Sequence, residues 1–386
     1  MTTLRILILG SSYGILPATK LSLAGHKVTL VGRPEEISAI ESSGIELHVP
    51  SRETEAPLII KLRAQQGACV DASQPGLVTP SAADPNQYDL IILAMQEPQF
   101  SAKEVAELMK LVARSGRPCI ALMNIPPLPF LERLPNVDAS SLRRAYSSSD
   151  VWKAFDPGII TVASPDPQAI RPDPNNPGLV HVTLPSNFKI APFADPAHQK
   201  LLCQIADDVD AVRIDTGYGL ATPRVRIVPH RSLFVPLAKW PMLIAGNSRC
   251  LVNDDEPRSI RDAVWSNLEE SRQIYDSINS LARNAGADPD DLVSFDRYAA
   301  AAQSLIRPSS LARALHAGAT AVERVDLLIE LLAQSKGISI PALKSVVSAI
   351  DARLASASVD GKPAALHPGR PHFADAFKQD TSRQQS

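Results

Sequence analysis

Three places in the chain carry residue types whose spacing suits chemistry. The first is the turn Gly10-Ser11-Ser12-Tyr13-Gly14 and the residue after it, Ile15. A glycine turn that opens a helix leaves backbone N–H groups and the positive end of the helix dipole facing outward, a ready site for a pyrophosphate. The second is Gly32-Arg33-Pro34. An NAD site places Asp or Glu here for the ribose hydroxyls, whereas a guanidinium suits a 2′-phosphate. NADP(H) is therefore favoured over NAD, with a solvated surface arginine as the plain alternative. The third is His230 beside Arg231, an acid/base candidate of the kind found in His-based dehydrogenases, although a lone loop His is usually incidental.

The elements around the turn explain why it carries weight. Leu4 to Leu9 is apolar after Arg5, the pattern of a strand buried on both faces of a parallel sheet. A helix is expected from Ile15 to Ala24, Gly25 as its left-handed stop, and Lys27 to Val31 as the next strand. The turn is one residue shorter than G-x-G-x-x-G, with Ser12 where the second glycine would clear room for phosphates. Pro34-Glu35-Glu36 opens a second helix ending near Gly44. Ile45 to Val49 and Leu58 to Leu62 read as a hairpin-like pair, 71 to 87 as a polar surface loop, and Asp89 to Met95 and Pro118 to Met123 as buried strands. Between these strands, Val105, Leu108, Met109 and Val112 recur at helical spacing.

From 126 to 200, Gly158 to Ala163, Val180 to Leu184 and Phe188 to Pro192 suggest short strands. Asp195-Pro196 begins a helix to about Asp208, and Ala211 to Ile214 returns as a strand. Beyond about Val228 nearly everything reads as helix: 231–249, 257–286, 290–305, 309–316, 319–336 and 341–355. The expectation is an α/β doubly wound (Rossmann-type) sheet domain over 1–220, an all-α domain over 221–356, and a polar, aperiodic, mobile tail over 357–386. The boundary belongs near Gly217 to Pro229.

Composition sets wide bounds. With 386 residues, 45% hydrophobic and 21% charged, and a net charge of −2, there is no reason to expect nucleic-acid or membrane-surface binding. Many of the 33 prolines fall between Pro157 and Pro196, the mark of long ordered loops. Cys69, Cys119, Cys203 and Cys250 are widely spaced and form no metal-binding pair, which fits a reducing cytoplasm. The chain enters its first strand without a signal-peptide layout, and no stretch is apolar enough to span a membrane.

Taken together, these residues resemble the ketopantoate reductase (2-dehydropantoate 2-reductase) family. AGHKVTLVGRPEEISAIESSGIEL is similar to that family's segment after the first helix, and YDLIILAMQEPQ to its fourth strand and the loop beneath the nicotinamide. CIALMN followed by LERL, and SSLARALHAGAT with KGISIP, are similar to its fifth strand and its late helical region. The resemblance spans roughly residues 4 to 350. It implies cofactor contacts from Met95, Gln96 and Asn124, and a catalytic Lys239 with Asn247 eight residues on, on one helix face. It implies substrate contacts from Asn124, Asn247 and Ser309 or Ser310. The family's lysine in the fourth-strand loop is Gln96 here, its intermediate asparagine is Leu243, and its late glutamate falls on Ala321, with Glu323 two residues away. Trp240-Pro241 is expected to kink the catalytic helix.

The function so implied is NADPH-dependent reduction of a 2-oxo acid or related ketone, by an enzyme that admits a homodimer. The rival readings are an opine-type or other hydroxy-acid dehydrogenase, and a non-catalytic NADP-binding sensor or scaffold. If Arg33 binds the 2′-phosphate, NADPH should bind at least about tenfold tighter than NADH, the size of a charge-assisted contact. Arg33→Ala should narrow that gap in a cofactor titration, and equal wild-type affinities would sink the assignment.

Overall fold

The computed structural model describes residues 2–164, 169–251 and 256–359, so the tail expected beyond 359 lies outside the described residues. Arg5–Leu9 is the strand around which the α/β part is laid. It needs no alternation because both of its faces are covered: Ile6 and Ile8 enter one apolar core, Leu7 and Leu9 the other. The helix Ile15–Leu23 follows, Gly25 ends it at φ 83°, and Lys27–Val31 returns parallel to the first strand. The helix Pro34–Ser43 and its Gly44 stop, at φ 75°, also fall where expected.

The main sheet runs, from one edge, Val225–Pro229, Ser186–Ile190, Ile160–Ala163, Cys119–Leu122, Leu90–Leu93, Arg5–Leu9, Lys27–Val31, Gly76–Val78 and Gln65–Gln66. Pairing is parallel from Gln65–Gln66 through Ile160–Ala163, and Ser186–Ile190 is antiparallel to its neighbour there. The order reverses between Arg5–Leu9 and Leu90–Leu93, the switch point at which open sheets bind ligands. A second, four-stranded sheet joins Ala169–Ile170, Leu179–Val182, Ile45–Val49 and Leu58–Leu62. The expected hairpin is thus real, and the middle segment adds two strands to it. The first helix lies between the sheets and is buried even at Thr19, Lys20 and Ser22; burial lowers the Lys20 pKa to about 8.

Several expectations are corrected. The loop 71–87 contains the sheet strand Gly76–Val78, too short to show a periodicity, followed by two 3₁₀ turns. The strand expected at Ala211 to Ile214 is only Ile214–Asp215, because the preceding helix runs on to Asp210. The sheet continues to Pro229, past residue 220, with Val225–Pro229 alongside Ser186–Ile190.

In the helical region, 231–249 is not one helix but Val235–Leu237, Trp240–Ala245 and Asn247–Leu251. Pro241 starts the middle piece rather than kinking it, since the first turn needs no N–H from that residue. Gly246 ends it where a Cβ would sit 2.0 Å from the Tyr298 hydroxyl. The stretch 257–286 divides into Ile260–Trp265 and Leu268–Asn284, and 290–305 reduces to Pro289–Asp291 and Phe295–Ala302. Residues 319–324 are not helical; the helix is Val325–Ser335. The last helix, Pro341–Val359, carries order through the described start of the expected tail.

Gly10 is required by the close approach of the chain just past the ends of two neighbouring parallel strands. Its φ is 108°, and an added Cβ would stand 2.4 Å from the Ala94 carbonyl oxygen and 2.6 Å from the Met95 Cγ. Gly10→Val should therefore lose roughly 3 kcal/mol or more of stability, measured by urea unfolding, with cofactor affinity falling alongside. A loss under about 1 kcal/mol would show that the turn can relax.

Candidate functional site

At the switch point the chain supplies two polar clusters. The first surrounds the end of Lys27–Val31. The Ser11 hydroxyl donates to Glu36 at 2.8 Å, Arg33 donates to the same carboxylate at 3.1 Å, and the Arg171 guanidinium lies 3.5 Å from it. Arg171 also donates to the Ser11 carbonyl at 3.0 Å. Burial pushes the Glu36 carboxyl up, but Arg33, Ser11 and Arg171 outweigh it and hold the pKa below its ordinary value. Ser12 and Gly14 complete the turn, with the Gly14 N–H bonded to the Gly10 carbonyl at 3.1 Å. No motif singles out Arg171, because it reaches this place only through the second sheet.

The chemistry of this cluster suits a nicotinamide dinucleotide. Two guanidiniums flank a single carboxylate beside the turn, and the buried Arg171 Nε has no hydrogen-bond partner. Arg33, Arg171 and the Gly10–Ile15 turn are the residues that would hold it.

The second cluster lies at the ends of Leu90–Leu93 and Cys119–Leu122. Gln96 Nε2 donates to the Tyr13 hydroxyl at 3.4 Å, and Met95 packs against Gly10. Glu97 is 1% exposed and accepts from the Ser147 and Ser148 N–H groups at 3.0 and 3.2 Å; burial nonetheless raises its pKa. Asn124 Nδ2 donates to Glu323 at 2.9 Å, and the Asn124 and Glu97 N–H groups donate to the same carboxyl at 3.4 and 3.3 Å. Burial drives the Glu323 pKa up to about 7, against the pull of Asn124 and of the nearby Lys239 ammonium.

Glu323 corrects the reading of the late helix, in which it sat about 200° from Ala321. It lies instead in the non-helical stretch before Val325. That stretch is set by Gly318 at φ 81° and by Arg324, which pairs with Asp326 at 2.8 Å and Asp351 at 2.7 Å. Sequence spacing could have flagged Glu323 only if the helix start had been placed at Arg324.

The remaining site residues are distributed unevenly. Lys239 is the residue before Trp240–Ala245, and Asn247 follows the Gly246 break, so they do not share one regular helix face. Ser309 is buried and caps Ser310–His316. Its hydroxyl donates to the Asn247 carbonyl at 2.8 Å and accepts from the Ala312 N–H at 3.1 Å, while Ser310 is exposed. Arg313 on that helix acts on Tyr13, whose pKa is raised by burial, drawn down by Gln96, raised by Glu323 and drawn down again by Arg313. His230 follows the edge strand Val225–Pro229, with four strands between it and Arg5–Leu9. Burial lowers its pKa, and its charged neighbours are Lys189 and Asp291.

The raised Glu323 pKa ties stability to pH. The folded chain binds this proton more tightly than the unfolded chain, so the stabilisation is complete below the ordinary carboxyl value of 4.5 and is lost as pH rises through about 7. Glu323→Gln should gain on wild type by roughly 2 to 3 kcal/mol between pH 5 and pH 8. Cofactor-free denaturant unfolding at both values measures the difference, and a pH-independent gap would place the titration elsewhere.

Comparison with known proteins bears out the resemblance read from the residues. Residues 6–124 match the family model described as ketopantoate reductase PanE/ApbA. No curated protein sequence matches the chain. Among solved structures, the PanE/ApbA family ketopantoate reductase from Ralstonia eutropha JMP134 aligns with a TM-score of 0.60 and 17% identity, over 92% of this chain and 99% of its own. The 2-dehydropantoate 2-reductase from Methylococcus capsulatus gives 0.61 and 13%, over 92% and 97%. D-mandelate dehydrogenase, solved with NADH and anilino(oxo)acetate, gives 0.59 and 15%, over 92% and 99%. Residues 6–124 thus match the ketopantoate reductase family, and the described chain has the fold of those enzymes: a doubly wound sheet followed by a helical region.

Proposed function

We propose that this protein is an NADPH-dependent reductase of a 2-oxo acid or related ketone, with Lys239 as the general acid. The observation that carries the reading is the Asn124–Glu323 pair at the strand ends, with the charge of Lys239 acting on that carboxyl. Asn124 binds the Glu323 carboxyl at 2.9 Å, and the Lys239 ammonium is close enough to lower that carboxyl's pKa. When bound, the dihydronicotinamide supplies a hydride for the carbonyl carbon. Lys239 stabilises the negative charge that grows on the carbonyl oxygen and then delivers a proton to it. Asn124 orients the carbonyl, while Glu323 holds the Asn124 amide and fixes which of its atoms faces the substrate. Asn247 and Ser310 orient the rest of the molecule, and Ser309 positions Asn247 by accepting no freedom in its backbone: its proton is committed to the Asn247 carbonyl.

Gln96 favours a second enzyme reading. A neutral amide bonded to Tyr13 stands where the family has a lysine, and the cations that act on that tyrosine are Arg313 and Arg171. A substrate other than ketopantoate, as in another hydroxy-acid dehydrogenase, suits this change of charge. NADPH-oxidation assays over a panel of 2-oxo acids separate the two readings and also separate both from a non-catalytic scaffold.

With a substrate in hand, Lys239→Ala should lower turnover by roughly 10²- to 10⁴-fold, the range for loss of a general acid. NADPH affinity should change little, because the ammonium acts on charge that develops only during the reaction. Turnover near the wild-type value would remove Lys239 from the mechanism and make His230 the next residue to test.

A further inference from the structure

We propose that Arg171, supplied by the second sheet, is a second 2′-phosphate ligand, and that Glu36 is the carboxylate which a 2′-phosphate displaces; this rests on the NADP(H) reading above. Glu36 receives the Ser11 hydroxyl at 2.8 Å and Arg33 at 3.1 Å, with Arg171 at 3.5 Å. A hydroxyl and two guanidiniums converging on one anion match the needs of a phosphate monoester dianion, which offers three acceptor oxygens where a carboxylate offers two.

The placement of Arg171 is built rather than incidental. Its side chain is 13% exposed, against 54% for Arg33, and one of its nitrogens is tied to the Ser11 carbonyl at 3.0 Å. Its Nε is buried with no hydrogen-bond partner. A buried donor without an acceptor is costly, and a phosphate oxygen is an acceptor of the right kind. Glu36 satisfies the pair only partly and at long range on the Arg171 side.

The chain path explains how a residue so far along reaches the turn. Ala169–Ile170 pairs antiparallel with Leu179–Val182, which runs parallel to Ile45–Val49. Ile45–Val49 directly follows the helix Pro34–Ser43 that carries Glu36. Arg171 and Glu36 are therefore held by one folded unit, which meets the turn at Ser11. The plain alternative is that Arg171 only staples that unit to the turn. The two accounts differ in what they predict for ligands with and without the extra phosphate.

The test measures binding of adenosine 2′,5′-bisphosphate and of 5′-AMP by calorimetry to the full chain, as wild type, Arg171→Ala and Glu36→Gln. Arg171→Ala should weaken the bisphosphate by about tenfold or more and 5′-AMP by less than about twofold, as for loss of a charge-assisted contact to the 2′-phosphate. Glu36→Gln keeps Arg171 and the fold contacts of Ser11, and should tighten the bisphosphate several-fold by removing a competing anion. Equal weakening of both ligands by Arg171→Ala, or weaker bisphosphate binding in Glu36→Gln, would overturn the proposal. Failure of the reductase reading would show differently, as absence of NADPH oxidation while the bisphosphate still binds through Arg171.

Discussion

The carboxyl of Glu323 is the contact on which the candidate site depends. It accepts from the Glu97 N–H, the Asn124 N–H and the Asn124 side chain, and so binds the ends of two neighbouring sheet strands to the chain segment that precedes a helix of the C-terminal region. Taking a carboxyl out of water is unfavourable, and its pKa of about 7 shows that these donors only partly offset the cost. The arrangement persists because each donor would otherwise be left unpaired at a strand end. It also brings the sheet, which carries Asn124, and the helical region, which carries Lys239, to one place.

Glu36 gives the opposite case at the other end of the same switch point. There too burial raises the carboxyl's pKa, yet Arg33, Ser11 and Arg171 more than reverse it. Two glutamates near one turn are thus driven in opposite directions, one toward the neutral form and one toward the anion. The difference lies in the partners: full guanidinium charges at Glu36, backbone and amide dipoles with one ammonium at Glu323. An end rich in fixed positive charge holds its carboxyl as an anion, and an end of dipoles leaves its carboxyl partly protonated near neutral pH.

Much of this was written locally. The doubly uncharged run Ile6–Leu9, the Gly10–Gly14 turn, the Gly25 and Gly44 stops and the apolar spacing of Leu108, Met109 and Val112 each act through neighbours within a few residues. Strand and helix bounds in the first half follow them closely. Where the outcome depended on distant contacts, the reading shifted. The helix across Lys239 and Asn247 is interrupted at Gly246, where the hydroxyl of the distant Tyr298 leaves no room for a side chain. Gly76–Val78 is a strand only because Lys27–Val31 offers it an edge.

The sequence alone therefore determined the doubly wound unit and the turn that serves it, since periodicity, glycine conformation and dipole direction are properties of short segments. Tertiary structure alone decided which charged groups meet. Glu323 joins Asn124 across 199 residues, and Arg171 joins Ser11 across 160. Such pairings depend on chain paths through the second sheet and the helical region. The energy that fixes a side chain's protonation comes from desolvation by those paths, which no local pattern encodes.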